Sequence, residues 1–311
     1  MPLLHPQIVA ALEAMARAQL RPIEAMTPAE ARAQMEATAQ SRKAESLPIG
    51  RIEERPIPGP GGAIRFRRYW PDAAAPVPAI LYYHGGGHVI GSLDTHDLVA
   101  RNLCAGAEAL VASVDYRMGP EHRFPAAVED AFAALEWVRG DARALGVDPD
   151  RLGLHGDSAG GNLAAVVALL ARDAGVPLRL QSLVYPVTDY TLAGASYATY
   201  EQGYGLLTRA AMLWFRTHYL GAPANAEDWR ASPIRAPNLA GAAPAIVITA
   251  QCDVLHDDGA GYAEALLRAG VPIEYREYPG MIHGFFGMMP IVDDAMAAQR
   301  QVWDAFKRAF A

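Results

Sequence analysis

The five residues Gly156-Asp157-Ser158-Ala159-Gly160 constrain the fold of this chain more than any other part of its sequence. They lie between a short apolar run, residues 151–155, and a stretch rich in alanine, leucine and valine, residues 163–171. This order predicts a β-strand, a sharp turn and a helix buried on all sides, with Ser158 at the apex of the turn. The glycines let the backbone pass close to its neighbours and hold the serine in a strained conformation that exposes its hydroxyl. We therefore predict that Ser158 is a nucleophile.

A run of three glycines, within His84-Gly85-Gly86-Gly87, follows the apolar residues 79–83. Such a run forms either a flexible surface loop or a loop whose backbone N–H groups approach a ligand oxygen closely. Its place between a buried strand and the serine turn favours the second interpretation. We predict an oxyanion hole formed by the N–H groups of Gly86, Gly87 and Ala159. Ala159 is at the N-terminus of the following helix, so the helix dipole points the same way.

An acid and a histidine follow Ser158 in the order that a hydrolase of this layout requires. Asp253 is the first acid after a predicted strand, residues 245–249. His283 follows a second predicted strand, residues 274–278, and a turn predicted at Pro279-Gly280. His283 would accept the proton of the serine hydroxyl, and Asp253 would fix the tautomer of its imidazole ring. Ser158, Asp253 and His283 are therefore the predicted catalytic residues.

Other acids and histidines have alternative interpretations. Asp257 and Asp258 compete with Asp253, but they lie further past the strand, where a helix should begin, and suit a helix N-terminus better. His155 lies in a predicted buried strand and is interpreted as a core residue, whereas His84 is expected to brace the glycine loop by hydrogen bonding.

Four further residues are assigned to the substrate pocket. Gly85 turns the chain ahead of the oxyanion hole, and Asp157 orders the turn beside the nucleophile. His88 follows the glycines and is expected at the rim of the pocket, where a polar residue would admit bulkier or more polar alcohols. Tyr185, at the end of a predicted strand, completes the set.

These motifs resemble those of the hormone-sensitive-lipase-like family of α/β-hydrolase esterases, in particular its bacterial carboxylesterases. The likeness extends from about residue 82 to residue 286 and rests on His84-Gly85-Gly86-Gly87, Asp115-Tyr116-Arg117-Met118-Gly119-Pro120-Glu121, Gly156-Asp157-Ser158-Ala159-Gly160-Gly161-Asn162, Asp253-Val254-Leu255-His256-Asp257-Asp258-Gly259 and His283-Gly284-Phe285. Two residues depart from the pattern: His88 stands where the family usually has an aromatic residue, and Asp258 where glutamate is common. The resemblance implies an α/β-hydrolase fold with a helical lid and carboxylesterase activity.

The order of predicted elements agrees with an α/β fold class. Strands are predicted at residues 80–83, 110–114, 152–155, 180–185, 245–249 and 274–278, and helices at residues 126–139, 161–173, 259–269 and 295–310. This alternation predicts a mostly parallel central sheet with helices on both faces. Before it come an amphipathic helix marked by Leu4, Ile8, Leu12 and Met15, a capping box at Thr27-Pro28-Ala29-Glu30, and a hairpin turning at residues 58–62.

The alternation stops between residues 189 and 238, where only one helix, residues 209–219, is predicted. This insertion is either an extra surface helix or, as the resemblance implies, part of a lid over the active site. We therefore predict a helical cap, residues 1–46 and 189–238, on a catalytic core, residues 47–188 and 239–311.

Composition limits the partners of the chain. Its 311 residues carry a net charge of −7, which argues against nucleic acid or an anionic membrane. No secretory signal or run of membrane-spanning length is present, and two isolated cysteines, Cys104 and Cys252, are typical of reduced thiols, although a disulfide is open to them. We expect a cytoplasmic protein. The absence of metal-ligand spacing and of a dinucleotide fingerprint predicts no metal and no cofactor.

The resulting functional hypothesis is a serine carboxylesterase that cleaves short- to medium-chain acyl esters through an acyl-enzyme intermediate. An amidase or lactonase with the same triad is an alternative, because leaving-group preference depends on the shape of the pocket. A non-catalytic binding protein on the same fold would not need His283, which this chain has. The expected partner is a small-molecule ester, and the sequence permits a homodimer.

Overall fold

A computed structural model describes residues 3–41 and 45–311. Its strands, in chain order, are β1 (Arg51–Glu54), β2 (Ile57–Gly59), β3 (Gly62–Trp70), β4 (Val77–Tyr83), β5 (Leu110–Asp115), β6 (Val147–Asp157), β7 (Leu180–Val184), β8 (Ala245–Cys252) and β9 (Ile273–Ile282). Its α-helices are α1 (Pro6–Arg17), α2 (Pro28–Ser41), α3 (Asp97–Ala107), α4 (Ala126–Gly140), α5 (Ala142–Leu145), α6 (Ala159–Asp173), α7 (Ser196–Thr199), α8 (Arg209–Leu220), α9 (His256–Arg268) and α10 (Asp293–Phe310).

The strands form one twisted layer in the order β1-β3-β5-β4-β6-β7-β8-β9, and β2 pairs with β3 outside this path. Strands β4 to β9 run parallel, whereas β1, β2 and β3 add an antiparallel end. All seven residues of β4 are buried, because a parallel strand in the middle of such a sheet is covered on both faces. The α/β-hydrolase fold predicted from the sequence is confirmed.

Helices cover both faces of the sheet, and the sheet separates two hydrophobic cores. One core contains side chains of α4, α6 and α9, and the other contains side chains of α1, α3 and α10. Helix α6 is buried nearly all round, as residues 163–171 predicted, because it lies between the sheet and α4. It fixes the turn at its N-terminus, where Ser158 lies.

The start of the chain follows its predicted caps. The hydroxyl of Thr27 accepts from the N–H of Glu30 at 3.3 Å, and the Glu30 carboxylate accepts from the Thr27 N–H at 2.8 Å. This reciprocal capping box begins α2. The predicted hairpin is also present, since Ile57 of β2 pairs with Ile64 of β3. Residues 1, 2 and 42–44 of the predicted cap lie outside the described residues.

The structure differs from the sequence-based expectation in one predicted turn and one helix that was missed. The turn predicted at Pro279-Gly280 is wrong, because β9 continues to Ile282 and pairs with β8 through a register shift near Gln251. Gly280 takes a φ of +68° at this irregularity, and its N–H donates to the Gln251 side chain at 2.9 Å. Helix α3 was not predicted. Between β7 and β8, the predicted helix is present as α8.

Candidate active site

The serine turn joins β6 directly to α6. Ser158 has φ 56° and ψ −118°, a conformation that non-glycine residues rarely adopt, and its N–H donates to the Val184 carbonyl at 2.8 Å. A Cβ atom at Gly160 would lie 1.8 Å from the carbonyl oxygen of Tyr83, so only glycine allows α6 to approach β4 this closely. The sequence therefore holds the hydroxyl of Ser158 out of the sheet, at the carboxyl ends of the parallel strands.

A continuous hydrogen-bonded chain connects three of the predicted residues. The Nε2 atom of His283 lies 3.0 Å from Oγ of Ser158, and its Nδ1 atom lies 2.7 Å from Oδ2 of Asp253. Asp253 is 1% exposed, and its other oxygen accepts from the N–H of Leu255 at 2.9 Å. Such a chain can move a proton from the serine to the imidazole while the carboxylate holds the ring.

The competing acids have other partners. The Asp258 carboxylate accepts from the N–H groups of Thr188 and Asp189, at 2.8 and 3.0 Å, and burial raises the pKa of Asp258 to about 7. Asp257 accepts from the N–H of Ser196 at 2.9 Å. Both residues lie in the first turn of α9, as predicted, but they tie the segment after β7 to that helix.

The predicted core and bracing histidines lie where the sequence placed them. His155 is fully buried in β6, with Nδ1 3.0 Å from the Ser182 hydroxyl. His84 is also fully buried, and its Nδ1 lies 2.7 Å from the Gly85 carbonyl oxygen.

A hydrogen bond to Asp157 holds the glycine loop in place. One carboxylate oxygen of Asp157 accepts from the N–H of Gly85 at 3.2 Å and from the Tyr82 hydroxyl at 3.0 Å, and burial raises the pKa of this carboxyl group. Gly86 and Gly87 have φ angles of +117° and +61°, which only glycine adopts without strain. The sequence did not single out Tyr82, whose position in a fully buried strand gave no sign of a polar partner.

A cavity of about 480 Å³ opens at this point. The structure brings together seven of the predicted site residues, which all line this cavity: Gly85, Gly86, Gly87, Asp157, Ser158, Tyr185 and His283. Most of the remaining wall comes from two places, the N-terminal helices with Met15, Leu20, Ile23 and Met35, and the segment between β7 and β8 with Leu206, Leu207, Met212 and Phe215. The sequence missed a further wall at residues 94–101, around the start of α3.

A family model described as alpha/beta hydrolase fold matches residues 80–287. The chain belongs to this α/β-hydrolase family. Carboxylesterase NlhH of Mycobacterium tuberculosis is 44% identical over 271 residues, 85% of each chain. An ethyl acetate hydrolase of Pseudomonas putida is 41% identical over 76% of this chain and 75% of its own. The solved structure of a hyperthermophilic esterase from the archaeon Pyrobaculum calidifontis superposes with a TM-score of 0.94, at 43% identity and over 100% of both chains. The resemblance inferred from the motifs is confirmed.

One pocket prediction is wrong for this α/β-hydrolase. His88 is fully buried and does not line the cavity. It has a φ of +58°, its Nδ1 lies 2.8 Å from the Tyr190 hydroxyl, and its ring stacks on Tyr219 at a centroid distance of 3.9 Å. Burial lowers the pKa of His88 to about 3, so the ring is neutral. His88 therefore connects the glycine loop to the segment between β7 and β8 rather than forming the rim.

Neither a metal cluster nor a membrane span is found in the part of the chain that the structure describes. No group of three or more histidine, cysteine, aspartate or glutamate side chains there could hold a metal ion. Within the same residues, no helix has the length and apolar character needed to cross a bilayer.

Proposed function

We propose that this protein, a carboxylic ester hydrolase of the α/β-hydrolase family, cleaves short- to medium-chain acyl esters through a serine acyl-enzyme. The observation that carries the proposal is the chain of hydrogen bonds from Ser158 through His283 to Asp253, which opens onto a cavity walled mainly by apolar side chains. The relatives named carboxylesterase and ethyl acetate hydrolase support the ester as substrate class.

The proposed reaction has two halves. The hydroxyl oxygen of Ser158 attacks the ester carbonyl carbon while Nε2 of His283 takes its proton, and the resulting imidazolium is stabilised by Asp253. His283 then gives the proton to the departing alcohol, and the acyl group remains on Ser158. In the second half, His283 activates a water molecule that attacks the acyl-enzyme, and the carboxylic acid leaves as the serine recovers its proton.

The negative charge that develops on the carbonyl oxygen would be bound by the N–H groups of Gly86, Gly87 and Ala159. Two features support this assignment. The positive φ angles of the two glycines shape the loop, and Ala159 is the first residue of α6, where the helix dipole favours negative charge. Removing one such donor costs about 100- to 1,000-fold in kcat in a related chemistry.

We propose that residues 1–46 and 189–238 form a cap that limits acyl length. Their side chains contribute most of the apolar wall, and a cavity of about 480 Å³ is at the smaller end of ligand sites. Each buried CH2 group adds about 0.8 kcal/mol, or roughly fourfold in kcat/KM, until the cavity is full. We expect acyl chains of about two to eight carbons to be favoured, and long-chain triglycerides to be poor substrates.

Two experiments test the proposal. A series of p-nitrophenyl esters from acetate to palmitate should give a rise and then a fall in kcat/KM, and efficient cleavage of emulsified long-chain triglycerides would contradict the closed cap.

Ser158→Ala should lower kcat by at least about 1,000-fold, and a phosphonate inhibitor should add one adduct to the wild type and none to the variant. Ser182→Ala, which changes a buried serine that is bonded to His155, is the matched control. An adduct on Ser158→Ala would refute the nucleophile.

We further propose that the enzyme resides in the cytoplasm. Cys104 and Cys252 are both buried and free of disulfide bonding, as thiols in a reducing compartment commonly are. Recovery of the native enzyme in the periplasmic or secreted fraction of its host would contradict this location.

A further inference from the structure

A second hollow, of about 310 Å³, lies against the antiparallel end of the sheet. It extends along β3 from Trp70, next to Tyr69, which pairs with Val111 near the start of β5, to the level of Ile57, which pairs with Ile64. The catalytic edge is at the other end of β5, where Arg65 pairs with Asp115. The hollow is lined from β1, β2, β3, α4 and α5 and shares no residue with the cavity beside Ser158.

A buried arginine forms the floor of this hollow. Arg68 is only 6% exposed and projects from the same face of β3 as the apolar residues Phe66 and Trp70. Its guanidinium carbon lies 5.4 and 5.7 Å from the ring centres of Trp70 and Trp137. The Nε–H of Arg68 finds no acceptor among the described residues, and Glu53 lies 3.3 Å from one terminal nitrogen. Burial lowers the pKa of Arg68, because little in this hollow offsets the loss of water.

The walls hold more positive than negative charge. Arg51, Arg55 and Arg68 face two carboxylates, Glu53 and Asp141. Glu53 is shared, since both Arg55 and Arg68 form ion pairs with it. Arg51 places its guanidinium 4.0 Å above the ring of Trp70. The hollow therefore has one guanidinium group more than it has carboxylates to neutralise it.

We propose that this hollow is a binding site for a small oxyanion, a carboxylate or phosphate group. Guanidinium groups bind both by paired, charge-assisted hydrogen bonds. The Nε–H of Arg68 is covered, so the anion would meet the terminal nitrogens at the floor, while Arg51 and Arg55, which are exposed, would close on it from the rim. Apolar residues beside them, Pro56, Ile57, Ala144 and Leu145, leave room for a short organic group attached to the anion. This site does not depend on the proposed esterase mechanism.

The test is thermal unfolding of the full chain in rising concentrations of sodium phosphate, acetate or benzoate, against sodium chloride at equal ionic strength. A ligand that binds only the native state at ten times its Kd should raise the Tm of a chain of this size by about 2 °C. Arg51→Gln and Arg55→Gln should reduce the shift, and Arg68→Met should abolish it. Arg65→Gln removes an arginine from the opposite face of β3 and should keep the full shift.

The outcomes separate the ligand sources. A specific shift with phosphate alone identifies a phosphoryl group, and one with acetate or benzoate identifies an organic carboxylate. If Arg68→Met does not fold, Arg51→Gln and Arg55→Gln provide the test. The side chains of Arg51 and Arg55 are exposed, so their replacement leaves the hydrophobic core intact. Equal shifts in the wild type and in Arg51→Gln and Arg55→Gln, or a shift no larger than that in sodium chloride, would overturn the proposal.

Discussion

Replacing Asp258 by asparagine should change how the stability of the protein depends on pH. Asp258 is 4% exposed, and its burial raises the pKa to about 7 although Thr188 and Asp189 each donate an N–H to it. In the unfolded chain, an aspartate ionises near pH 3.9. Between these two values the native state holds a proton that the unfolded state releases, so stability falls as the pH rises.

The size of the effect follows from the two pKa values. They differ by about 3 units, and each unit corresponds to 1.36 kcal/mol, which gives an upper bound of about 4 kcal/mol. The contribution is complete below about pH 4, is lost progressively up to about pH 7 and is constant above that. Asparagine keeps an oxygen that can accept the Thr188 and Asp189 N–H groups but has no proton to lose. Between pH 4.5 and 7.5, the free energy of unfolding of Asp258→Asn should therefore rise by up to about 3 kcal/mol relative to that of the wild type.

Urea unfolding at several pH values measures this gain, and Asp257→Asn is the matched control. Burial raises the pKa of Asp257, but hydrogen bonds from His256 and from the Ser196 N–H outweigh it, so the pKa is lowered. Asp257 therefore stabilises the fold at every pH above its unfolded pKa. The free-energy difference of its variant should stay constant from about pH 4.5 to 5.5, below the range in which its partner His256, whose pKa Asp257 raises, loses its proton. Parallel profiles for the two variants would refute the argument that Asp258 is protonated in the native state.

Three further predictions concern the site. Asp253→Asn should lower kcat by roughly 10,000-fold with little change in KM. An unchanged kcat for p-nitrophenyl butyrate would show that another acid orients His283. Gly160→Ala should cost about 3 kcal/mol or more, because its Cβ would meet the Tyr83 carbonyl oxygen at 1.8 Å; a wild-type Tm would contradict the close approach. His88→Phe should lower the free energy of unfolding by about 1–3 kcal/mol, because it leaves the Tyr190 hydroxyl unpaired. The preference among alcohol groups should stay unchanged, and a shifted preference would show that His88 contacts the substrate.

The parts of the fold that the sequence predicted well are those whose pattern depends on burial alone. Strand β4 and residues 163–171 of helix α6 are apolar because they are covered on nearly all sides, and no tertiary information is needed to recognise such runs. The positions of Ser158, Asp253 and His283 were predictable for a related reason. Each follows the carboxyl end of a parallel strand, and those ends meet at one edge of the sheet, so chain order alone places the three side chains near one another.

The errors occur where a distant strand or side chain overrides a local preference. Pro279-Gly280 favours a turn on its own, but β8 offers a pairing partner on both sides of it, and the register shift absorbs the extra residues. Helix α3 was missed because polar and small residues interrupt its apolar pattern. One of them, Asn102, is buried and accepts from the N–H of Leu47, a partner 55 residues away.

His88 shows most clearly what the sequence could not determine. Its place directly after the glycines suggested a residue at the mouth of the pocket, but its left-handed backbone turns the side chain toward Tyr190, 102 positions later, and Tyr219. A phenylalanine ring could fill that space but could not form the 2.8 Å hydrogen bond with the Tyr190 hydroxyl. The imidazole therefore couples the glycine loop to the proposed cap by a directional contact, and burial keeps its ring neutral.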